Sequence, residues 1–184
     1  MMKNVVIFAG QKVALREKRI SDATRDYAWR RDPELARLEA LPPLRLSFKE
    51  YLEGYEEEMC NSSRRFCCFA IDTLDGKHIG NCMYYGIEEE KNQAELGIMI
   101  GDREIWDKGY GTDAVNTLLG YIFANTDLER IYLNTLELND RARRCFQKCG
   151  FVTCGQVKRH GNKFIVMELH RSSFKSALVT DALS

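Results

Sequence analysis

The stretch Trp106-Asp107-Lys108-Gly109-Tyr110-Gly111-Thr112-Asp113-Ala114 decides how this chain is read. A strand-like apolar run, Ala94 to Ile100, precedes it. A helical stripe of Ala114, Val115, Leu118, Leu119, Ile122 and Phe123 follows. Two glycines, one residue apart, therefore sit where a loop turns into a helix. The first amides of a helix have no internal partner, and the helix dipole makes that end positive. Glycine carries no Cβ, so a bulky anion can approach the backbone. Such a turn is a main-chain cradle for a diphosphate, with Lys108 adding charge at its rim. The structural alternative is a helix that merely begins after a glycine turn. Neither common nucleotide loop fits: a Walker ending of Gly-Lys-Ser/Thr is absent, and Ala114 stands where a dinucleotide fingerprint has its third glycine or an alanine. That fingerprint normally opens its fold, whereas this turn lies past the midpoint of the chain.

At 184 residues the chain reads as one domain, 1–184, with a core over about 12–169 and a C-terminal tail, 171–184. Charged residues balance, 27 against 27, so the basic excess of a nucleic-acid binder is missing. Glu56–Glu58 and Glu88–Glu90 read as solvated acidic faces. Arg141, Arg143, Arg144 and Lys148 form a basic cluster in the same half as the glycine turn. The cysteines number seven, an odd count, and several lie inside apolar runs such as Phe66-Cys67-Cys68-Phe69-Ala70. They read as reduced core residues of a cytoplasmic protein. Cys145, Cys149 and Cys154 lack the paired Cys-x-x-Cys of a zinc site, so no metal is expected. Met2 to Gly10 is too short and too weakly flanked for a signal or a membrane span, and no membrane partner is expected.

Lys12–Arg16 alternates like a strand. Ser21-Asp22 opens a helix to about Arg31, which Asp32-Pro33 ends or restarts. Ser47-x-x-Glu50 is a capping box for a helix to about Met59. Strands are expected at Arg65–Asp72 and His78–Tyr85, joined by an Asp75-Gly76 turn, and at Gln93–Ile100. Beyond the helix that starts near Gly111 comes a strand, Arg130–Leu136. Asn139-Asp140 then opens a short helix that presents Ala142, Cys145, Phe146 and Cys149 on one face and stops at Gly150. Strands Phe151–Lys158 and Lys163–Leu169 flank a His160-Gly161-Asn162 turn, and the tail from Arg171 begins as a helix. The order β-α-α-β-β-β-α-β-α-β-β is α+β, with a mixed, mostly antiparallel sheet. The strands on either side of the glycine-turn helix are parallel neighbours joined by a right-handed crossover. The run Val5-Val6-Ile7-Phe8 is either an edge strand or the lead-in to the first strand. Oligomeric state is left as monomer or homodimer.

Four features now stand in a fixed order. Leu15-Arg16 ends the first strand, with Asp22 opening the next helix. Glu95-Leu96-Gly97 leads into Trp106-x-Lys108-Gly109-Tyr110-Gly111-Thr112-x-Ala114. Asn139-x-x-Ala142 begins the later helix, and Phe146-x-Lys148-x-Gly150-Phe151 closes it. Together they resemble the GNAT superfamily of acetyl-CoA-dependent N-acetyltransferases, in its ribosomal-protein-alanine and spermidine acetyltransferase branch. The resemblance spans roughly Lys12 to Leu169. It implies helices on both faces of the sheet and a splayed parallel strand pair at the cofactor site. Acetyl-CoA would lay its diphosphate on the turn Trp106, Asp107, Lys108, Gly109, Tyr110, Gly111 and Thr112. Its pantetheine arm would run along Ile98, Met99 and Ile100, within reach of Asn134 and Asn139. Ala142 and Phe146 would line the thiol end, and Arg141, Arg144 or Lys148 would meet the 3′-phosphate.

The resemblance also implies the chemistry. An uncharged primary amine of a peptide, polyamine or other small molecule attacks the thioester in a ternary complex. Glu95 is the candidate base, directly or through water; the alternative is a glutamate on a solvent-facing strand position. The acid is open. Many family members carry a tyrosine at the place of Phe146 and some a serine at that of Ala142, and both hydroxyls are missing here. Cys145, Tyr132, Tyr84 or Tyr85 could donate the proton, although Cys145 also reads as a core residue. The thiolate could leave unaided, or the chain could bind CoA without efficient turnover. Tyr27, Trp29, Arg30 and Asp32 on one side, Tyr84 on the sheet, and His160 and Asn162 on the other side are candidates to line the acceptor site.

Overall fold

The computed structural model describes residues 6–60 and 66–175. Eight strands form one sheet in the order β1-β2-β3-β4-β5-β6-β8-β7. They are β1 (Val6–Ala9), β2 (Val13–Glu17), β3 (Phe66–Thr73), β4 (His78–Glu88), β5 (Gln93–Ile100), β6 (Arg130–Leu136), β7 (Val152–Arg159) and β8 (Asn162–His170). Every pairing is antiparallel except β5 with β6. The helices are α1 (Ala23–Arg31), α2 (Pro33–Leu38), α3 (Phe48–Cys60), α4 (Tyr110–Asn125) and α5 (Asp140–Lys148).

Local chemistry sets the helix ends. Asp32 accepts from the amides of Glu34 and Leu35, so Asp32-Pro33 restarts the chain as a separate helix. The Ser47 capping box forms in full: Glu50 accepts from the Ser47 amide at 2.8 Å, and Ser47 Oγ accepts from the Glu50 amide at 3.3 Å. Val6–Ala9 is an edge strand paired to β2, while Val5 lies outside the described residues. The tail begins as a single 3-10 turn, Arg171–Ser173, and its remainder from 176 lies outside them too.

One face of the sheet packs on α4 and α5 through Val13, Leu15, Ile71, Ile79, Leu96, Ile131, Leu133 and Met167, against Val115, Leu118, Leu119 and Ile122. This is the apolar core. The alternate residues of β2 to β4 face α1 and α3 and carry charge instead. Four consecutive residues of β2, Val13–Arg16, are buried for that reason, although the sequence alternates. Arg16 donates to Asp72 at 2.7 Å and to both oxygens of Asp22. Asp26 on α1 receives the Tyr55 hydroxyl at 3.0 Å, Asn81 Nδ2 at 2.8 Å and an ion pair from Lys18.

His78 completes this group. Its Nε2 lies 3.1 Å from Asp26 Oδ1 and its Nδ1 lies 3.3 Å from the Ile71 carbonyl. Both ring nitrogens face acceptors, an arrangement that favours the doubly protonated, cationic ring. Burial opposes that charge, but the hydrogen bonds to Asp26 and Asp72 outweigh it and hold His78 above its usual 6.5. Three carboxylates then balance three cations in the layer between α1 and the sheet. Burial likewise works against the Asp26 carboxylate, and the bonds from His78, Lys18 and Asn81 win, bringing it down to about 2.

Removing one member of a buried network leaves its partners uncompensated. Asp26→Ala is expected to cost about 3–5 kcal/mol in urea unfolding. His78 has the higher pKa when folded, so its contribution is complete below about pH 6.5 and is lost as the pH rises through the folded value. The stability gap between the native chain and His78→Gln should therefore be widest below pH 6.5 and narrow toward pH 9. A constant gap across that range would show that the ring is neutral.

Candidate functional site

β5 and β6 pair in parallel at only three positions, Gln93 with Arg130, Ala94 with Ile131 and Glu95 with Tyr132. Beyond them the strands part. β5 stays registered with β4 as far as Ile100 opposite Gly80, and β6 stays registered with β8 as far as Leu136 opposite Phe164. A Cβ at Gly80 would lie 2.1 Å from the Met99 carbonyl oxygen, so the bare glycine lets β4 draw the end of β5 toward itself. The amides of Gly101 and Asp102 then donate to the Ile79 carbonyl, which pins that end. The result is a wedge-shaped opening in the sheet.

The wedge leads into a cleft of about 190 Å³. Ile98, Met99 and Ile100 form one wall, Asp107, Gly109, Gly111 and Thr112 form the floor, and Asn139, Arg141, Ala142, Cys145, Phe146 and Lys148 close the other side. Gly109 is the N-cap of α4 at φ 85°, a left-handed conformation that a side chain disfavours. Among the described residues, the amides of Tyr110, Gly111 and Thr112 find no acceptor; the first helical bond is Asp113 N–H to the Gly109 carbonyl. Lys108 differs from the sequence expectation, since its amide donates to Ile105 at 3.3 Å. Three free amides at a helix start form an anion site.

Cations gather around that end. Arg141 lies flat over the Trp106 indole, 3.2 Å from the ring centroid, and the indole N–H donates to the Ile100 carbonyl at 2.8 Å. Arg144 and Lys148 line the same cleft. Lys12, which the sequence did not single out, donates to the Lys108 carbonyl at 2.9 Å and sits over the Tyr110 ring. Asp113 holds Lys12 there by accepting from the amides of Gln11, Lys12 and Val13 at 3.1, 2.7 and 3.0 Å. That contact joins residues a hundred positions apart, so no local pattern announces it. Leu35, Leu38 and Glu39 of α2 also line the cleft. Burial raises the Glu39 carboxyl despite its ion pair with Arg30 at 3.1 Å.

Cys145 lies at the glycine-turn end of the cleft, its Sγ 3.5 Å from Thr112 Oγ1. A hydrogen bond from Cys149 and the charges of Lys148 and Arg141 bring its thiol to about 7. Asn139 caps α5 by accepting from the Ala142 amide at 3.1 Å while lining the cleft. Phe146, without a hydroxyl, is buried against Phe151.

Glu95 stands where the wedge opens. It is the register partner of Tyr132, and Asn134 donates to its Oε1 at 2.8 Å. Tyr85 is its register partner on β4; burial first, then the charge of Glu95, pushes the Tyr85 hydroxyl up. The expected acceptor-lining residues fare differently. Tyr84 points to the α4 side, 4% exposed in the apolar core, because it alternates with Tyr85. Tyr27 donates to the Leu46 carbonyl and packs on Phe48 and Tyr51, while Trp29 packs on His78 and on the main chain at Gly101. His160 is exposed at the β7–β8 turn with φ 47°. The side chains brought to the wedge instead are Tyr85, Tyr132 and Asn134.

Comparison with known proteins agrees with this geometry. The family model of the acetyltransferase (GNAT) domain matches residues 12–152. The chain is 27% identical over 128 residues to the uncharacterised N-acetyltransferase p20 of Bacillus licheniformis, covering 66% of this chain and 68% of that protein. It is 29% identical over 111 residues to the spermidine N(1)-acetyltransferase of Vibrio cholerae, covering 60% of this chain and 62% of that enzyme. The crystal structure of Vibrio cholerae spermidine N-acetyltransferase with CoA and spermine superposes with a TM-score of 0.76 at 22% identity, over 88% of this chain and 96% of that one. That of the aminoglycoside acetyltransferase AAC(6′)-Ib with coenzyme A superposes at 0.74 and 20% identity, with the same coverage. The glycine turn, the wedge and the match over residues 12–152 place the chain in the GNAT family of acetyltransferases.

Proposed function

We propose that this chain is an acetyl-CoA-dependent N-acetyltransferase that moves the acetyl group from the thioester to a primary amine by direct attack in a ternary complex. One observation carries the reading: the wedge between β5 and β6 opens into a cleft that ends at three free helix amides flanked by Arg141, Arg144 and Lys148. CoA has the matching shape and charge. Its diphosphate fits the amides of Tyr110, Gly111 and Thr112. Its pantetheine arm fits beside Ile98, Met99 and Ile100, and its thioester reaches the wedge near Phe146. A dipole contribution of about 0.3–1 kcal/mol does not hold a polyanion alone, so the cations share the task.

In this reading the amine enters from the face that carries Glu95, Tyr85 and Tyr132. Glu95 takes the proton, directly or through water, as the nitrogen lone pair closes on the carbonyl carbon. Phe146 supplies no acid. An ordinary thiol ionises near about 8.5, so the CoA thiolate is a competent leaving group without one. Cys145 is the wrong end of the cleft for an acid, since it touches Gly111 and Thr112. The spermidine and aminoglycoside substrates named for its relatives, with Glu39 on the cleft wall and Glu95 at the mouth of the wedge, favour a small polycationic amine as acceptor. The thiols of Cys67, Cys82, Cys145, Cys149 and Cys154 support a reducing compartment, the cytoplasm. The absence of a hydroxyl at Phe146 and Ala142 favours a second reading, a CoA-binding protein without turnover.

Amine-dependent CoA release separates the two readings, with spermidine and kanamycin as first acceptors. Release that rises with added amine supports the transferase; acetyl-CoA binding without release from any amine supports the second. Glu95→Gln is expected to lower turnover by about 10²- to 10⁴-fold with acetyl-CoA affinity retained. Full activity in that variant would remove Glu95 from the mechanism. Gly111→Val tests the cradle. A Cβ there meets Cys145 Sγ at 3.6 Å and Ile100 Cγ1 at 3.8 Å, ordinary contacts, so the fold tolerates it while the methyls fill the anion site. Calorimetry should register a loss of acetyl-CoA affinity with little change in melting temperature; unchanged affinity would mean that phosphate binds elsewhere.

A further inference from the structure

Strand pairing ends at Glu95 and Tyr132, yet a side chain crosses the opening just beyond. Asn134 lies two residues past Tyr132 on β6, so alternation returns it to the face that Glu95 occupies on β5. Its Nδ2 reaches across the wedge to Glu95 Oε1 at 2.8 Å. A carboxylate only accepts, so the amide must turn its NH₂ toward Glu95; the flipped amide would set oxygen against oxygen. Tyr85 is the register partner of Glu95 on β4 and stands on the same face. Both side chains are half-buried, where a bond to a charged group is worth more than at the surface.

We propose that Asn134 is a positioning residue for Glu95: its amide fixes the carboxylate at the mouth of the wedge, with one oxygen held by Asn134 and the other left for the amine. The inference rests on the reading of Glu95 as base and departs from the role the family resemblance implies for Asn134, a contact to pantetheine. A glutamate side chain has three rotatable bonds, and proton transfer requires its oxygen within about 3 Å of the amine or of one bridging water. The strand fixes only the Cα; Asn134 fixes the carboxylate through Oε1. The charged or titratable groups around this pocket include Glu88 on β4, Arg130 and Tyr132 on β6, Arg159 on β7, and Glu168 on β8, which is the register partner of Tyr132 and accepts from Arg130 at 2.6 Å. Burial leads in raising both tyrosines, and the hydrogen bond from Lys91 leads in lowering Glu88.

The test separates turnover from cofactor binding. Asn134→Ala should lower kcat by about tenfold, with acetyl-CoA affinity, read by calorimetry, unchanged. Asn134→Gln, which keeps the donor, should recover part of that loss. In the Glu95→Gln background the further loss from Asn134→Ala should vanish, because the two side chains act as one unit. Native kcat in Asn134→Ala overturns the proposal, as does a fall in acetyl-CoA affinity in its place, or an equal loss in the Glu95→Gln background. Failure of the base reading registers separately, as full turnover in Glu95→Gln.

Discussion

The parting of β5 from β6 after Glu95 is the constraint on which the rest of this molecule depends. Two parallel strands that kept their ladder to the end would leave no way through the sheet. Here each strand is claimed by its outer neighbour: β5 by β4, across the close approach at Gly80, and β6 by β8 along its whole length. Main-chain groups that face the gap are left for another partner, and an extended amide-bearing arm supplies what a strand would. The same divergence sets Glu95 at the last paired position, next to the opening and on the face away from α4.

Charge is distributed to match. The apolar core under α4 and α5 supports the rigid start of α4, where the free amides are. On the opposite face the Arg16, Lys18 and His78 cations, set against three aspartates, bind α1 to the sheet. That anchor governs α2, which follows α1 directly, is tied to Arg103 through Asp32 and Glu34, and forms the outer wall of the cleft with Leu35, Leu38 and Glu39. The buried ionic layer thus connects through α1 and α2 to one wall of the cleft.

Much of this was legible in the chain. The glycine turn, the parallel pair around it, the Ser47 box, the Asp75-Gly76 turn and the α5 stripe each follow from local rules, and β5 and β6 run over the residues expected. Tyr84 and Tyr85 show where local reading stops. Adjacent tyrosines in a strand face opposite sides, and only the register with Leu96 and Glu95 tells which one enters the core. Trp29 and Tyr27, expected beside an acceptor site between the N-terminal helices and the last hairpin, pack on Gly101 and Phe48, contacts that no local pattern announces. Lys12 and Asn134 depend on contacts across a hundred and about forty residues, which spacing does not encode.

Hydrogen exchange with and without CoA probes the central claim most directly, because it reads the main-chain groups on which the account rests. The account predicts new protection at Leu96–Ile100 and at Tyr110–Thr112, with the β7–β8 turn around His160 unchanged. CoA that binds by calorimetry yet leaves both segments exchanging as before would contradict it, and the wedge would then be a feature of the fold alone.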